Sequence, residues 1–318
     1  MMTIREFIYL LEENHHRYHF LGDELAGVVV TLDREGRIFA VLEKEVVNRV
    51  NPDAFWGESH RQKYLNPGGD VLWPAPEGSR LGYFYTTGSW SVPAGLWQAR
   101  YQVKHSGEDS VRIEAEVDLV SNSGLGLPVI FQRDIRLAKT SGALAVTTEE
   151  KIQYLGRRIL SRKELLLAPW TLTQIESGPG CLALFPGVSE GEIQDFYEDS
   201  HRWRSLTSAG WQTLTEGQQR YQIGLTPDVE WIEFYHPDRR LRVRRQAEKL
   251  SSGLGYVDIA DRPADEEPTG FLTRYSIYSD PALFMEMEAA GGCPEKIHPG
   301  DVLSLRVTTS YCLEKNKA

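Results

Sequence analysis

The chain has 318 residues, of which 41% are hydrophobic and 25% charged, so a sizeable core can form without metals or disulfide staples. Its formal charge of −10 excludes a sequence-independent hold on phosphate backbones, which needs clustered Lys and Arg, and no nucleic-acid partner is expected. Cys181, Cys293 and Cys312 show neither paired metal spacing nor an even disulfide count, and they read as reduced structural residues.

In chain order, Phe7, Leu10, Leu11 and Tyr18 recur at roughly helical intervals between Thr3 and Phe20, with Thr3 as a cap and Glu6 three residues later. One short helix is expected, in a segment 1–20, ahead of a single domain spanning 21–318. The segment has no basic lead and no small-residue cleavage site. No run reaches the roughly 18 apolar residues of a membrane span. A cytoplasmic protein with no membrane partner is therefore expected. His15 and His19 have helical metal-ligand spacing, but no third ligand adjoins them, and they read as a solvent-facing cluster.

Beyond the helix the period becomes two. Val111 to Leu119 alternates apolar and charged or small residues over its whole length, as a strand with one buried and one wet face does. Further strands are predicted at 27–32, 37–42, 97–104, 130–137, 143–152, 165–173, 221–225, 231–235, 241–246, 284–288 and 303–311. Turn residues such as Asp33-Arg34-Glu35-Gly36 and Ser177-Gly178-Pro179-Gly180 separate them. Many strands at short intervals without regular intervening helices indicate an all-β fold of antiparallel sheets packed face to face. The basic run Arg239 to Arg245 reads as a solvated strand face, and Asp258 to Thr269, rich in acids and prolines, as a loop over a site.

Three segments carry candidate chemistry. Asn66 to Gly78 joins Gly68-Gly69 to Trp73, Glu77 and three prolines, and is either a buried corner or a ligand loop; Trp90 and Trp97 follow. In Leu165 to Gln174, Trp170, Leu172 and Gln174 share one strand face and Thr171 and Thr173 the other. In Leu283 to Glu288, Glu286 and Glu288 project from one face, either as a solvated pair or as crowded carboxyls whose raised pKa suits general acid–base work. His60 precedes the Gly-Gly loop and either leans over a cleft or sits on a surface turn. No phosphate cradle or nucleotide fingerprint is present, and neither a cofactor nor a metal is expected.

Taken in order, Gly68 to Glu77, Leu167 to Gln174, Met285 to Glu288 and Pro299-Gly300 resemble the galactose mutarotase-like (aldose 1-epimerase-like) superfamily, over nearly the whole chain. The resemblance implies a large antiparallel β-supersandwich, a small-molecule carbohydrate as ligand, and interconversion of aldose anomers as reference chemistry. It implies Glu286 as the base, with Glu288 as the alternative on the same face. Trp73, Glu77, Trp90, Trp170 and Gln174 are then expected to line the cleft. The family's mid-chain histidine acid is missing from Ala168 to Gln174. That absence keeps open a non-catalytic sugar-binding protein, or a lyase or hydrolase of glycosides using an acid drawn from His60, His201 or Glu77.

Overall fold

In the computed structural model, which describes residues 2–60, 62–85, 90–218 and 220–314, the strands form two large sheets. The first, 10-stranded, runs in the order Tyr18–Gly22, Ala26–Thr31, Ile38–Leu42, Asp70–Ala75, Ala168–Glu176, Phe284–Ala290, Tyr275–Asp280, Tyr221–Leu225 and Ile193–Asp195, with Glu45–Val46 beside Ile38–Leu42. The second, also 10-stranded, has Leu241–Ala247, Val302–Leu313, Ala143–Tyr154, Gly126–Thr140 and Ser110–Val120 as consecutive neighbours. Pairing within both is antiparallel, and the fold is the expected β-sandwich.

Burial follows the sequence period. On Ser110–Val120, Val111, Ile113, Ala115, Val117 and Leu119 are buried, while Arg112, Glu116 and Asp118 face solvent. The first sheet's central strands differ: Ala168–Glu176 is buried on both faces up to its last residue. One of its faces meets the second sheet, where Met285 and Met287 of the neighbouring strand join Phe131, Ile152 and Leu305 in one apolar core. The other supports a cavity.

The N-terminal helix covers only Ile4–Glu13. Its capping box is complete: the Glu6 amide donates to Thr3 Oγ1 and the Thr3 amide to the Glu6 carboxylate. Ile4, Phe7, Leu10 and Leu11 pack on Val29, Phe39 and Val41, sealing the outer face of the first sheet at one end. The expected helical segment to residue 20 is thus shortened, because Tyr18–Gly22 pairs with Ala26–Thr31 as a strand; His15 and His19 therefore share no helix face. Residues 94–97 form a helical turn entered from Pro93, and the strand expected at 97–104 begins at Gln102.

The layers are joined by charge. Arg133 and Arg245, on two strands of the second sheet, both reach Asp70 on the first, at 2.5 Å and 2.6 Å. Arg133 also holds Glu150 through two bonds of 2.7 Å and 2.9 Å, and Arg245 donates to Thr171 and Thr309. All four charged groups are buried. Arg245 corrects the reading of its run as a solvated face: only Arg242 and Arg244 alternate outward, while Arg245 lies on the inner face with Val243.

Removing the Asp70 carboxylate strands two buried guanidinium groups with one carboxylate between them. Asp70→Ala is expected to lower the unfolding free energy by about 3–5 kcal/mol, measured by urea denaturation, with the denaturant slope unchanged.

Candidate functional site

A cavity of about 380 Å³ opens on the outer face of the first sheet. Its floor is set by strand register. Gln174 lies opposite Glu286 and Leu172 opposite Glu288, so the two glutamates stand side by side with Trp170 and Gln174 on the neighbouring strand. Gln174 donates its amide to Glu286 at 2.5 Å, and its carbonyl accepts from Arg49 at 3.2 Å. Glu288 accepts from the indole of Trp170 at 3.0 Å and from Gln222 at 2.9 Å. Thr171, on the opposite face, bonds Arg245 between the sheets.

One wall comes from the segment after Asp70–Ala75. Glu77 is buried and accepts from the Trp90 indole at 2.6 Å. Trp73 packs edge to face on Trp170 at 5.6 Å and tilts against Trp90 at 5.8 Å. Behind them Glu35 accepts from the Trp73 indole at 2.9 Å and the Tyr64 hydroxyl at 2.6 Å, with Arg37 bonded to both Glu35 and Tyr64. Two glycines permit this layout. A Cβ on Gly68, whose φ is +90°, would meet the carbonyl oxygen of Arg49 at 2.0 Å; a Cβ on Gly78 would meet the amide nitrogen of Arg262 at 2.1 Å. The first draws Arg49 to the cavity. The second lets the loop from Asp258 to Thr269 dock on the residue after Glu77, where Ser79 and Arg80 donate main-chain bonds to it. Asp258 closes that loop by accepting from the Thr269 amide and hydroxyl.

The opposite wall is Tyr197, Arg220 and Tyr278. Arg220 lies over the Tyr197 ring at 4.0 Å and donates to the Tyr278 hydroxyl at 3.1 Å; that hydroxyl donates to Asp280 at 2.5 Å.

Three carboxyls sharing a poorly solvated cavity cannot all stay ionised. Burial pushes Glu286 up to about 7, against the Gln174 bond and the nearby cations Arg37 and Arg49, which favour its charge. Glu77 rises to about 8 through burial and then through the charge of Asp261, with Glu286 adding to the rise. Glu288 is raised well above the usual carboxylate range by burial and by the charges of Glu286 and Glu77. Near neutral pH the cavity thus holds carboxyls in different protonation states.

Of the residues singled out from the sequence, Trp73, Glu77, Trp90, Trp170, Glu286 and Glu288 all line this cavity, and Gln174 supports it through Glu286. Trp73 and Trp170 are only 1% and 2% exposed, so they brace the floor more than they offer a stacking face. His60 is a correction. It is exposed on a turn closed by paired main-chain bonds to Lys63, and it does not lean over the cavity. No histidine is among the described residues that line it. Arg49, Tyr64, Tyr197, Arg220, Gln222, Tyr278 and Asp280 were not foreseen, since each comes from a loop or strand without a local motif; the acidic, proline-bearing loop at 258–269 was the one available signal for that side.

A family model described as a family of unknown function (DUF6786) matches residues 8–229. The chain belongs to that family. No curated protein matches it. Among solved structures, a galactose mutarotase-like protein from Lactobacillus casei matches with a TM-score of 0.57 at 9% identity, covering 93% of this chain and 100% of that one. A galactose mutarotase-like protein from Clostridium acetobutylicum matches at 0.55 and 11%, covering 94% and 96%. The Slr1438 protein from Synechocystis matches at 0.57 and 12%, covering 94% and 96%. This DUF6786 member therefore has the galactose mutarotase-like fold.

Glu77 binds its proton more tightly in the folded chain than in the unfolded one, so its cost is absent below pH 4.5 and grows as pH rises through about 8. Glu77→Gln keeps an oxygen for the Trp90 indole and removes the charge. The variant is expected to match wild type within error at pH 4 and to exceed it at pH 9 by on the order of 4 kcal/mol in urea unfolding.

Proposed function

We propose that this protein is a carbohydrate-active isomerase of the aldose 1-epimerase type, in which a carboxyl takes the acid role that the superfamily gives to a histidine. The observation that carries the reading is the presence in one aromatic-walled cavity of Glu286 and Glu77 with pKa values of about 7 and about 8. At a single pH near neutrality one is available to accept a proton and the other to give one.

Glu286 takes the proton of the anomeric hydroxyl while Glu77 protonates the ring oxygen. The bond between the anomeric carbon and the ring oxygen breaks, leaving an open-chain aldehyde; rotation about the adjacent carbon–carbon bond exposes the other carbonyl face. Closure reverses both transfers, so each carboxyl ends as it began. Gln174, itself held by Arg49, fixes the Glu286 carboxylate, and the Trp90 indole fixes Glu77. Glu288, held by Trp170 and Gln222, is a neutral partner for a sugar hydroxyl. The lack of an imidazole among the described residues that line the cavity also supports a second reading, a sugar-binding protein without turnover.

The test is a one-dimensional NMR time course of freshly dissolved α-glucose and α-galactose. Wild type is expected to accelerate equilibration, with Glu286→Gln and Glu77→Gln each slowing it by about 100-fold or more. Activity should rise with pH as Glu286 ionises near 7 and fall as Glu77 ionises near 8, a narrow bell whose alkaline limb is lost in Glu77→Gln. Line broadening without acceleration would establish the binding role instead.

A further inference from the structure

The protein treats its arginines in two ways. Arg37, Arg133 and Arg245 are buried and each lies within 2.5–3.0 Å of a carboxylate oxygen. Arg49 and Arg220 line the cavity beside four carboxyl groups, yet among the described residues neither forms an ion pair with any of them. The acids are occupied otherwise. Glu286, Glu77 and Glu288 accept from amide and indole N–H groups, and Asp280 accepts from the Tyr278 hydroxyl and the Ala282 amide.

Arg220 is also held in place. Its guanidinium lies over Tyr197 at 4.0 Å, and Nε is taken by Tyr278 at 3.1 Å, which leaves the two terminal nitrogens as an unspent fork. Arg220 is exposed whereas Glu77 and Glu288 are buried, so the arginine stands at the outer end of the cavity and those two carboxyls at its inner end. Arg49 is fixed by stacking on Phe284 at 4.3 Å and by one bond to Gln174. A neutral hexose needs no such fork. Fixed guanidinium groups with terminal N–H groups to spare and no carboxylate partner among the described residues match planar or tetrahedral oxyanions, which accept two parallel N–H bonds.

We propose that the sugar taken by this site carries an anionic substituent, a carboxylate or a phosphate ester, at the end remote from its anomeric carbon, and that Arg220 is the residue that selects it, with Arg49 contributing. The inference rests on the reading of the cavity as a sugar site. The reacting end lies over Glu286 and Glu77 and the charged end points outward to Arg220, in a space sized for a monosaccharide. Glu77 and Glu288, which burial holds toward their neutral forms, limit repulsion of an acidic ligand.

The experiment compares dissociation constants of glucuronate, galacturonate and glucose 6-phosphate with those of glucose and galactose, by calorimetry or NMR titration, for wild type, Arg220→Gln, Arg220→Lys and Arg49→Gln, with circular dichroism as a folding check. At least one anionic class is expected to bind about tenfold or more tighter than the neutral sugars at low salt, with the preference shrinking as ionic strength rises. The acidic-to-neutral ratio should fall toward one in Arg220→Gln and only partly in Arg220→Lys, which keeps the charge and loses the fork. Preference for the uronates or for the phosphate ester identifies the source of the anion. Equal or tighter binding of neutral sugars would overturn the proposal, as would a ratio unmoved by both Arg220→Gln and Arg49→Gln. Faster anomer equilibration of neutral sugars without acidic preference refutes this inference and leaves the isomerase reading standing; no binding of any sugar removes both.

Discussion

The arrangement depends on Asp70. It is the first residue of the strand that ends at Ala75, and it is the point at which the first sheet is tied to two strands of the second through Arg133 and Arg245. Apolar contact between sheets is tolerant of sliding, whereas two forked guanidinium groups converging on one carboxylate fix both height and rotation. Because side chains alternate along the strand, pinning Asp70 inward directs Trp73 outward. Glu77 then follows within two residues of the strand end. A buried charge cluster is weak evidence for net stability; its consequence here is placement.

The cavity relies on a second electrostatic device. Its carboxyls are crowded and poorly solvated, yet each receives a directed N–H from a residue that is itself braced: Trp170 for Glu288, Trp90 for Glu77, Gln174 for Glu286. The donors favour the charged form while burial and mutual repulsion oppose it. The balance differs from one carboxyl to the next, and that difference gives otherwise similar groups separate protonation behaviour. Function on this fold belongs to such details and not to the sandwich itself.

Much of the fold was legible in the sequence because strand alternation is a local signal. Val111 to Leu119 needs only its neighbours to declare a wet and a dry face, and Tyr221–Leu225 is recovered with the same ends. Asp70–Ala75 was obscured, since Gly68-Gly69 and Pro74 suggest a loop where a central strand begins. The floor of the cavity was legible for the same reason as the strands: the two-residue spacing of Glu286 and Glu288, and of Trp170, Leu172 and Gln174, fixes a face. Its walls were not. Arg220, Tyr197 and Arg49 arrive there through sheet order and loop docking, and no residue near them in sequence encodes a distance to Glu286. His60 shows the reverse error, in which closeness along the chain to the Gly-Gly segment suggested closeness in space.

The cavity draws its lining from chain positions as far apart as Arg49 and Glu288, on strands that, apart from the hairpin of Tyr275–Asp280 and Phe284–Ala290, are neighbours only through long connections. Such non-local pairings form late in folding, after most of the loop-closure entropy has been lost. That hairpin carries Tyr278, Asp280, Phe284, Glu286 and Glu288, but Trp73, Glu77, Trp170 and Arg220 reach it only across long connections. Ligand capacity is therefore tied to assembly of the whole first sheet, and the fraction of molecules able to bind reports the fraction in which that sheet has formed.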